Sequence, residues 1–295
     1  MNTSRRILSL TALALVMSSV AACRQGDAPA QARASPASGV TQAPRQEQGA
    51  QEGYQPEVGQ AGKDVVWVPT PQPVVDRMLD MAKLTPEDRL VDLGSGDGVT
   101  VITAARRGAM ARGIEYNQDL VALAMQRARD AGVSDRARFQ QADIFKTDFS
   151  DATVVTLFLL PELNRRLRPT LLDMKPGTRV VSNSFDMGEW QADEIDEVKQ
   201  DCSSYCTAML WVVPAKVGGR WLLDDGRELQ LSQTFQMLEG TLGRGDAARS
   251  ISGRMRGSEI SFRIGDDEYT GTVDGERISG TVNGSTPWRA TRQSG

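Results

Sequence analysis

The segment Val91–Thr100, V-D-L-G-S-G-D-G-V-T, is the feature that most constrains how this chain can fold. Its apolar start predicts a buried β-strand, and Gly94, Gly96 and Gly98 predict a sharp turn that leads directly into a helix. Glycine permits positive φ and leaves backbone N–H groups uncovered. A helix that begins at such a turn presents those groups to a ligand. We therefore predict a ligand-binding strand–turn–helix unit of an α/β sheet.

Strand and helix patterns alternate on both sides of this unit, from about residue 65 to 217. The predicted strands are Arg89–Leu93, Ala111–Tyr116, Ala137–Ala142, Thr153–Leu160, Arg179–Ser182 and Ala208–Val213. The predicted helices are Val99–Arg107, a helix capped by Asn117 and ended by Gly132, and one from Pro161 to about Met174. Strands separated by helices imply right-handed crossovers and a doubly wound sheet.

After about Gly218 the apolar residues alternate with polar ones, as in Leu229–Met237 and Ile260–Ile264. Short alternating segments joined by Gly and Asp turns are typical of antiparallel strands. We therefore predict two folded domains, an α/β domain over 63–217 and a small antiparallel all-β domain over 218–295. The second is expected to be a meander or barrel-like.

The N-terminus has the features of a targeting signal. Arg5 and Arg6 precede an apolar run that ends V-A-A-C at Cys23, which predicts a secretory signal peptide over 1–23. The V-A-A-C ending resembles the lipobox of bacterial lipoproteins, which implies that Cys23 carries a lipid as the one attachment to a membrane. Residues 24–62 are rich in Ala, Gln, Pro, Gly and Ser, and we expect a flexible linker there.

This signal predicts a cell-envelope lipoprotein on the periplasmic side. Arg24 after the cysteine favours the outer membrane. The alternative is a cytoplasmic protein whose true start is Met17, the one other methionine before Met78.

The 295-residue chain contains three cysteines and no histidine. The lack of histidine excludes Ser-His and Cys-His nucleophiles and His-ligated metal sites, and we predict no metal site. Cys202 and Cys206 remain once Cys23 is set aside, and an oxidising compartment favours a small disulfide loop over two free thiols. The net charge of −4 provides no overall attraction to nucleic acid, so no nucleic-acid partner is expected.

Three acidic residues lie at the ends of successive predicted strands: Asp92, Glu115 and Asp143. The carboxyl ends of parallel strands meet at one edge of the sheet, where α/β proteins bind ligands. The glycines run G-x-G-x-G, with Val99 where a dinucleotide fingerprint requires its third glycine. A nucleoside cofactor that carries positive charge and no pyrophosphate therefore fits better than NAD.

S-adenosylmethionine has these properties. Asp92 is expected near its ammonium group, Glu115 on both ribose hydroxyls and Asp143 on the adenine amino group. The predicted cofactor-binding residues are Asp92, Gly94, Ser95, Gly96, Gly98, Glu115 and Asp143.

Residues from about Val65 to Val217 resemble class I S-adenosylmethionine-dependent methyltransferases, and Val91–Thr100 resembles their motif I. The more specific segments are W-V-P-T-P (67–71), T-V-V-T-L-F-L-L-P-E-L-N (153–164), L-R-P (167–169), P-G-T-R-V-V-S (176–182) and F-D-M-G-E-W (185–190). These are similar to protein-lysine methyltransferases related to those acting on mitochondrial carrier and ATP-synthase c-subunit lysines. The resemblance implies a Rossmann-like, mostly parallel seven-stranded sheet and methyl transfer to a protein lysine.

The resemblance places the segment after the fourth strand opposite the methyl group. Glu162 in this segment is the candidate catalytic residue that orients the incoming amine, and a first-turn helix acid is the alternative interpretation. We expect Trp67–Pro71 to cover the cofactor or the substrate entrance, or else to pack beneath the first helix. Two other functions stay open: a small-molecule methyltransferase, and an exported non-enzymatic binding protein on the same fold.

Overall fold

The computed structural model of the chain describes residues 54–293. The predicted signal peptide, the cysteine predicted to carry a lipid and the predicted linker up to residue 53 lie outside the described residues. Within 54–293, no helix has both the length and the apolar character needed to cross a membrane.

A seven-stranded, mostly parallel sheet forms the first part of the fold, in the strand order β3-β2-β1-β4-β5-β7-β6. The strands are β1 (Arg89–Leu93), β2 (Met110–Glu115), β3 (Ala137–Gln141), β4 (Val154–Leu157), β5 (Arg179–Asn183), β6 (Glu194–Glu197) and β7 (Thr207–Val212). Strands β1 to β5 pair in parallel, whereas β7 is antiparallel to both β5 and β6. The predicted doubly wound fold is confirmed.

Helices cover both faces of this sheet. They are α1 (Gln72–Met81), α2 (Val99–Arg106), α3 (Gln118–Asp130) and α4 (Pro161–Leu172). Successive strand residues point to opposite faces, so Val154 packs with α1, α2 and α3, and Val155 packs with α4. All four residues of β4 are therefore buried, as expected of a central strand covered on both sides.

Asn117 begins α3 as predicted. Its Oδ1 atom accepts hydrogen bonds from the backbone N–H groups of Asp119 (2.8 Å) and Leu120 (3.3 Å), which the helix itself leaves unsatisfied. This cap fixes the end of β2, where Glu115 lies, relative to the start of the helix.

The structure differs from the predicted elements in three places. The predicted strand Thr153–Leu160 is shorter, because the chain leaves the sheet after Leu157 and Phe158 turns toward a pocket. Helix α1 and strand β6 are not among the predicted elements. Strand β6 has the sequence E-I-D-E and is largely exposed at the sheet edge, so it lacks the apolar alternation that marks a half-buried strand.

The second part is a closed eight-stranded antiparallel barrel. Its strands are β8 (Gly219–Leu223), β9 (Glu228–Thr234), β10 (Met237–Leu242), β11 (Arg249–Arg256), β12 (Glu259–Ile264), β13 (Asp267–Asp274), β14 (Arg277–Val282) and β15 (Thr286–Arg292). Each strand pairs with the next, and β15 pairs with β8 to close the barrel. Trp221, Phe262 and Trp288 belong to its packed apolar core. Ala215 and Val217 join that core too, so it begins before the predicted boundary at 218.

The barrel packs on the amino-terminal edge of the parallel strands. The N–H of Ala215 donates to the carbonyl of Gly257 at 2.8 Å, and Gly257 faces Gly177, just before β5. Phe235 stacks on the buried Trp190, with ring centroids 6.4 Å apart. The opposite edge, where the parallel strands have their carboxyl ends, is the edge that carries the predicted cofactor site.

Candidate active site

The glycine turn after β1 is tight and depends on its glycines. Gly94, Gly96 and Gly98 have φ of +79°, +51° and +85°, in the left-handed region that favours glycine. A Cβ atom on Gly96 would lie 2.7 Å from Trp67 Nε1, and one on Gly98 would lie 2.7 Å from the ring of Phe139. The turn therefore brings bare backbone against its neighbours, as its sequence predicts.

Glu115 ties this turn to helix α3. Its Oε2 atom accepts from the N–H of Gly96 and its Oε1 atom accepts from the N–H of Asn117, each at 2.9 Å. Each carboxylate oxygen has a second lone pair available. Glu115 thus has the orientation and the capacity to accept two further hydrogen bonds from vicinal hydroxyls.

Asp92 is a buried carboxyl at the centre of the site, and its side chain accepts a 2.6 Å hydrogen bond from the Thr156 hydroxyl. Burial raises the pKa of Asp92 to about 7; the bond from Thr156 opposes this rise, and the negative charges of Glu115 and Asp97 add to it. A carboxyl held in this way gains most from a cationic ligand, because a positive charge nearby restores its ionised form.

Asp97 was not among the predicted site residues, although it lies inside the motif. It is buried, lines the same pocket as Asp92 and forms an ion pair with Arg127 of α3. This pair fastens the glycine turn to the helix. In the sequence, the position of Asp97 between two glycines of the motif could have indicated a role in the site. Its ion pair could not be predicted, because Arg127 is 30 residues away.

Asp143, after β3, uses both of its oxygens. Oδ1 accepts from the N–H of Phe145 at 3.0 Å, and Oδ2 accepts from Lys63 Nζ at 2.8 Å. The hydrogen bond from Lys63, followed by that from Phe145, lowers the pKa of Asp143. The Lys63 ammonium also lies 5.1 Å from the ring centroid of Tyr116.

Residues 60–70, which we call the strap, form one wall of the site. A bridge between Ala61 and Val66 closes a small hairpin, and Gln60 accepts from the N–H of Trp67 at 2.9 Å. Trp67 lies against Gly96 and lines the pocket, so this segment covers the cofactor pocket, one of the two positions predicted for it. The linker predicted over residues 24–62 therefore overlaps the strap at residues 60–62, which the structure shows as hydrogen-bonded backbone.

Glu162, the predicted catalytic residue, lies apart from these groups. It is exposed in the first turn of α4, and its side chain makes no hydrogen bond or ion pair within residues 54–293. Its neighbour Leu163 lines the pocket, whereas Glu162 is not in the pocket wall. Its assignment as the amine-orienting residue stays a prediction.

One pocket contains six of the seven predicted cofactor residues: Asp92, Gly94, Ser95, Gly96, Glu115 and Asp143. Gly98 supports the turn from behind, against Phe139 and Ala124. The Ser95 hydroxyl is buried and has no hydrogen-bond partner among the described residues. Three carboxylates beside a turn whose glycines leave the backbone uncovered fit a cationic nucleoside such as S-adenosylmethionine.

The Lys63–Asp143 pair yields a prediction about the adenine end. If the adenine amino group binds Asp143, it must displace the Lys63 ammonium, so K63A should bind S-adenosylhomocysteine about two- to fivefold more tightly than the wild type. Isothermal titration calorimetry measures this, with K175A as a control at an exposed lysine after α4. Weaker binding by K63A would show instead that Lys63 holds the strap over the bound nucleoside.

Comparison with known proteins agrees with this site. The model of the ANTKMT methyltransferase domain matches residues 92–194. A protein-lysine N-methyltransferase of Saccharolobus islandicus is 41% identical over 152 residues, which are 50% of this chain and 94% of the relative. The mouse lysine N-methyltransferase of the ATP-synthase c-subunit is 39% identical over 105 residues, 35% of this chain and 42% of that protein.

A solved structure of an RNA methyltransferase from Salinibacter ruber, in complex with S-adenosylhomocysteine, is 50% identical and has a TM-score of 0.48. The match covers 51% of this chain and 96% of that one. The Saccharolobus relative matches over nearly its whole length. The range matched by the ANTKMT methyltransferase domain, residues 92–194, includes the pocket acids Asp92, Glu115 and Asp143. The chain therefore belongs to the family of that lysine methyltransferase and is a class I S-adenosylmethionine-dependent methyltransferase.

Proposed function

We propose that this enzyme transfers a methyl group from S-adenosylmethionine to the ε-amine of a protein lysine. The observation that carries the proposal is the 41% identity to a protein-lysine N-methyltransferase across 94% of that relative. Several further relatives, named as lysine methyltransferases of the ATP-synthase c-subunit or of the adenine nucleotide translocase, match over a shorter length. Because these relatives are named for different acceptors, the acceptor protein has to be found by experiment.

The bound cofactor supplies an electrophilic methyl carbon on a sulfonium. The acceptor amine must offer a lone pair, which forms the new N–C bond while the electrons of the broken C–S bond stay on sulfur. The amine therefore has to lose its ammonium proton to water or a nearby carboxylate before transfer, and excluding water from its approach favours the neutral form.

The residues of this chain contribute mainly by positioning. Asp92 would hold the cofactor's ammonium group, Glu115 its ribose and Asp143 its adenine. These three acids follow or lie within β1, β2 and β3, which are consecutive in the sheet. The acceptor then approaches from the next strand, β4, where Phe158 lines the pocket.

The experiment offers the purified protein and methyl-labelled S-adenosylmethionine three acceptors from its host: envelope proteins, cytosolic proteins and total RNA. We expect label in protein, recovered as methyllysine after acid hydrolysis, and no label with D92A. Label confined to RNA, with none in protein, would overturn the proposal.

We also propose that the protein is exported and anchored by a lipid on Cys23. The basic and apolar N-terminus supports this, and so does the bond between Cys202 and Cys206, whose Cα atoms lie 5.8 Å apart. Disulfides persist mainly in oxidising compartments. An exported enzyme would need a source of S-adenosylmethionine outside the cytoplasm, because this cofactor is made in the cytoplasm.

Cell fractionation tests the export proposal. We expect the wild type in the membrane fraction with a diacylglyceryl-modified Cys23 by mass spectrometry, and C23S released from that fraction. A cytosolic protein that starts at Met17 and carries free thiols at both later cysteines would contradict export.

A further inference from the structure

We infer that Phe158, Phe185 and Tyr205 form the wall along which the acceptor amine reaches the methyl group, and that the Cys202–Cys206 disulfide holds Tyr205 in that wall. This inference rests on the proposed lysine methyltransferase function and names the acceptor side of the same site. We call these three residues the aromatic trio.

The three rings contact one another at the surface. The Phe158 ring centroid lies 5.2 Å from that of Tyr205 in an edge-on arrangement and 6.0 Å from that of Phe185, and the last two are 5.9 Å apart. Phe158 and Phe185 are partly exposed, and Tyr205 is 43% exposed. None of them belongs to the three packed cores of the described residues. Aromatic side chains clustered outside a core are typical of a binding surface.

The trio lies where an acceptor must approach. Phe158 directly follows β4, Phe185 comes two residues after β5, and Tyr205 comes two residues before β7. These strands are adjacent in the sheet and continue its edge on the side of β1 away from β2 and β3. The cofactor acids occupy the β1 to β3 side, and Phe158 lines the same pocket as they do. Through Phe158 the trio therefore borders the pocket that contains the cofactor acids.

The backbone around the trio is held in a costly conformation. Ser184 and Tyr205 are non-glycine residues with φ of +60° and +56°. The N–H of Ser184 donates to the Thr207 carbonyl at 2.7 Å, and Asn164 Nδ2 donates to the Phe185 carbonyl at 3.1 Å. Backbone strain that the surroundings impose in this way is concentrated at functional sites.

The disulfide is the second restraint on Tyr205. It closes a loop of five residues, and Tyr205 immediately precedes its second cysteine. The N–H of Val198 donates to the Cys206 carbonyl at 2.8 Å, which joins the loop to the end of β6. Without the covalent bond, an exposed tyrosine in a left-handed conformation has little else to keep its ring against Phe158.

The chemistry of the trio suits a lysine side chain. Ring faces attract an ammonium or methylammonium group, and the apolar lysine stem packs on aromatic surface. Rings also exclude water, which favours the neutral amine that methyl transfer requires. Aromatic rings stack on nucleobases as well, but the exposed acid Asp186 follows Phe185 directly, and the exposed acid Asp201 lies in the segment that leads to Tyr205. Both would repel phosphates.

The kinetic test compares Y205A with Y205F, and with M237A as a control at an exposed apolar residue on barrel strand β10. We expect Y205A to raise the KM for the methylated protein at least tenfold, with Y205F and M237A within threefold of the wild type. The Kd for S-adenosylhomocysteine should stay within twofold in all three. The C202S/C206S double variant should raise the same KM without changing that Kd.

A binding measurement supplies a readout independent of turnover. The wild type loaded with S-adenosylhomocysteine should broaden the trimethylammonium NMR signal of Nα-acetyl-trimethyllysine amide, as should M237A, whereas Y205A should not. The inference is overturned if Y205A methylates protein with wild-type KM, or if it weakens cofactor and acceptor equally. It is also overturned if RNA is the acceptor and Y205A weakens RNA binding. Failure of the wild type to methylate any protein would instead overturn the proposed function.

Discussion

Replacing Asp92 with asparagine should abolish micromolar binding of S-adenosylhomocysteine and yet stabilise the ligand-free protein at pH 8. The pKa of Asp92 is raised from 3.8 to about 7 by burial, so the folded state resists ionisation that the unfolded state permits. The stability that this group contributes is fully present below pH 3.8 and is lost as pH rises through 7. Asparagine carries no charge, so D92N should unfold with a free energy higher by up to about 4 kcal/mol at pH 8.

Thermal unfolding of both proteins at pH 4 and pH 8 tests this prediction. The difference between D92N and the wild type should be large at pH 8 and small at pH 4. A variant that loses stability at pH 8 would show that ionised Asp92 is satisfied by the protein alone and needs no cation from a ligand.

The same carboxyl makes cofactor affinity depend on pH. A ligand ammonium binds the ionised form, so the wild-type Kd for S-adenosylhomocysteine should rise by nearly tenfold for each pH unit below 7 and level off above it. Residual binding by D92N at high ligand concentration should not change between pH 5.5 and 8.5. Calorimetry in buffers of different ionisation enthalpy would also detect release of about one proton on binding at pH 6.

Replacing Glu115 with alanine should weaken S-adenosylhomocysteine binding by more than 100-fold. The change removes the carboxylate that joins the N–H groups of Gly96 and Asn117, together with the two acceptors offered to the ribose. Hydrogen bonds to a charged group contribute about 1.5–3 kcal/mol each, so the loss of two ribose bonds alone accounts for a factor of this size.

Two variants serve as controls for E115A. E115Q keeps one acceptor oxygen and should lose less affinity than E115A. E239A removes an exposed glutamate on the barrel and should bind as the wild type does. Binding by E115A within tenfold of the wild type would contradict the role given to this carboxylate.

Local signals allowed much of the sheet to be predicted. Gly94, Gly96 and Gly98 marked the turn because their conformations require glycine, and Asn117 marked the start of α3 because its side chain caps the helix. The continuous apolar run in β4 indicated a strand buried on both faces. Asp92, Glu115 and Asp143 could be placed together because the carboxyl ends of parallel strands share one edge.

The remaining parts of the site depend on contacts between distant segments. Lys63 meets Asp143 across 80 residues, and Asp97 meets Arg127 across 30, and neither pairing has a local pattern. The aromatic trio combines residues from three separate loops, of which only Phe158 lies in the predicted fourth strand. Strand β6 was not predicted because its residues are mostly charged and exposed, and only its backbone pairing with β7 makes it a strand.

In the barrel too, local patterns predict the strands, whereas the closure of the ring depends on a contact between distant segments. Alternating residues predict its strands, because each interior position such as Leu231 or Ile260 is apolar. The pairing of β15 with β8 closes the ring between segments about 70 residues apart. No local pattern specifies that closure, so a meander and a barrel had equal support from the sequence.

The most direct test of the central assignment is calorimetric titration of the purified protein with S-adenosylhomocysteine, beside D92A. We predict binding of one molecule per chain with a micromolar Kd for the wild type and none for D92A. Absence of binding by the wild type at neutral pH would contradict the conclusion that the glycine turn and its three acids form a cofactor site.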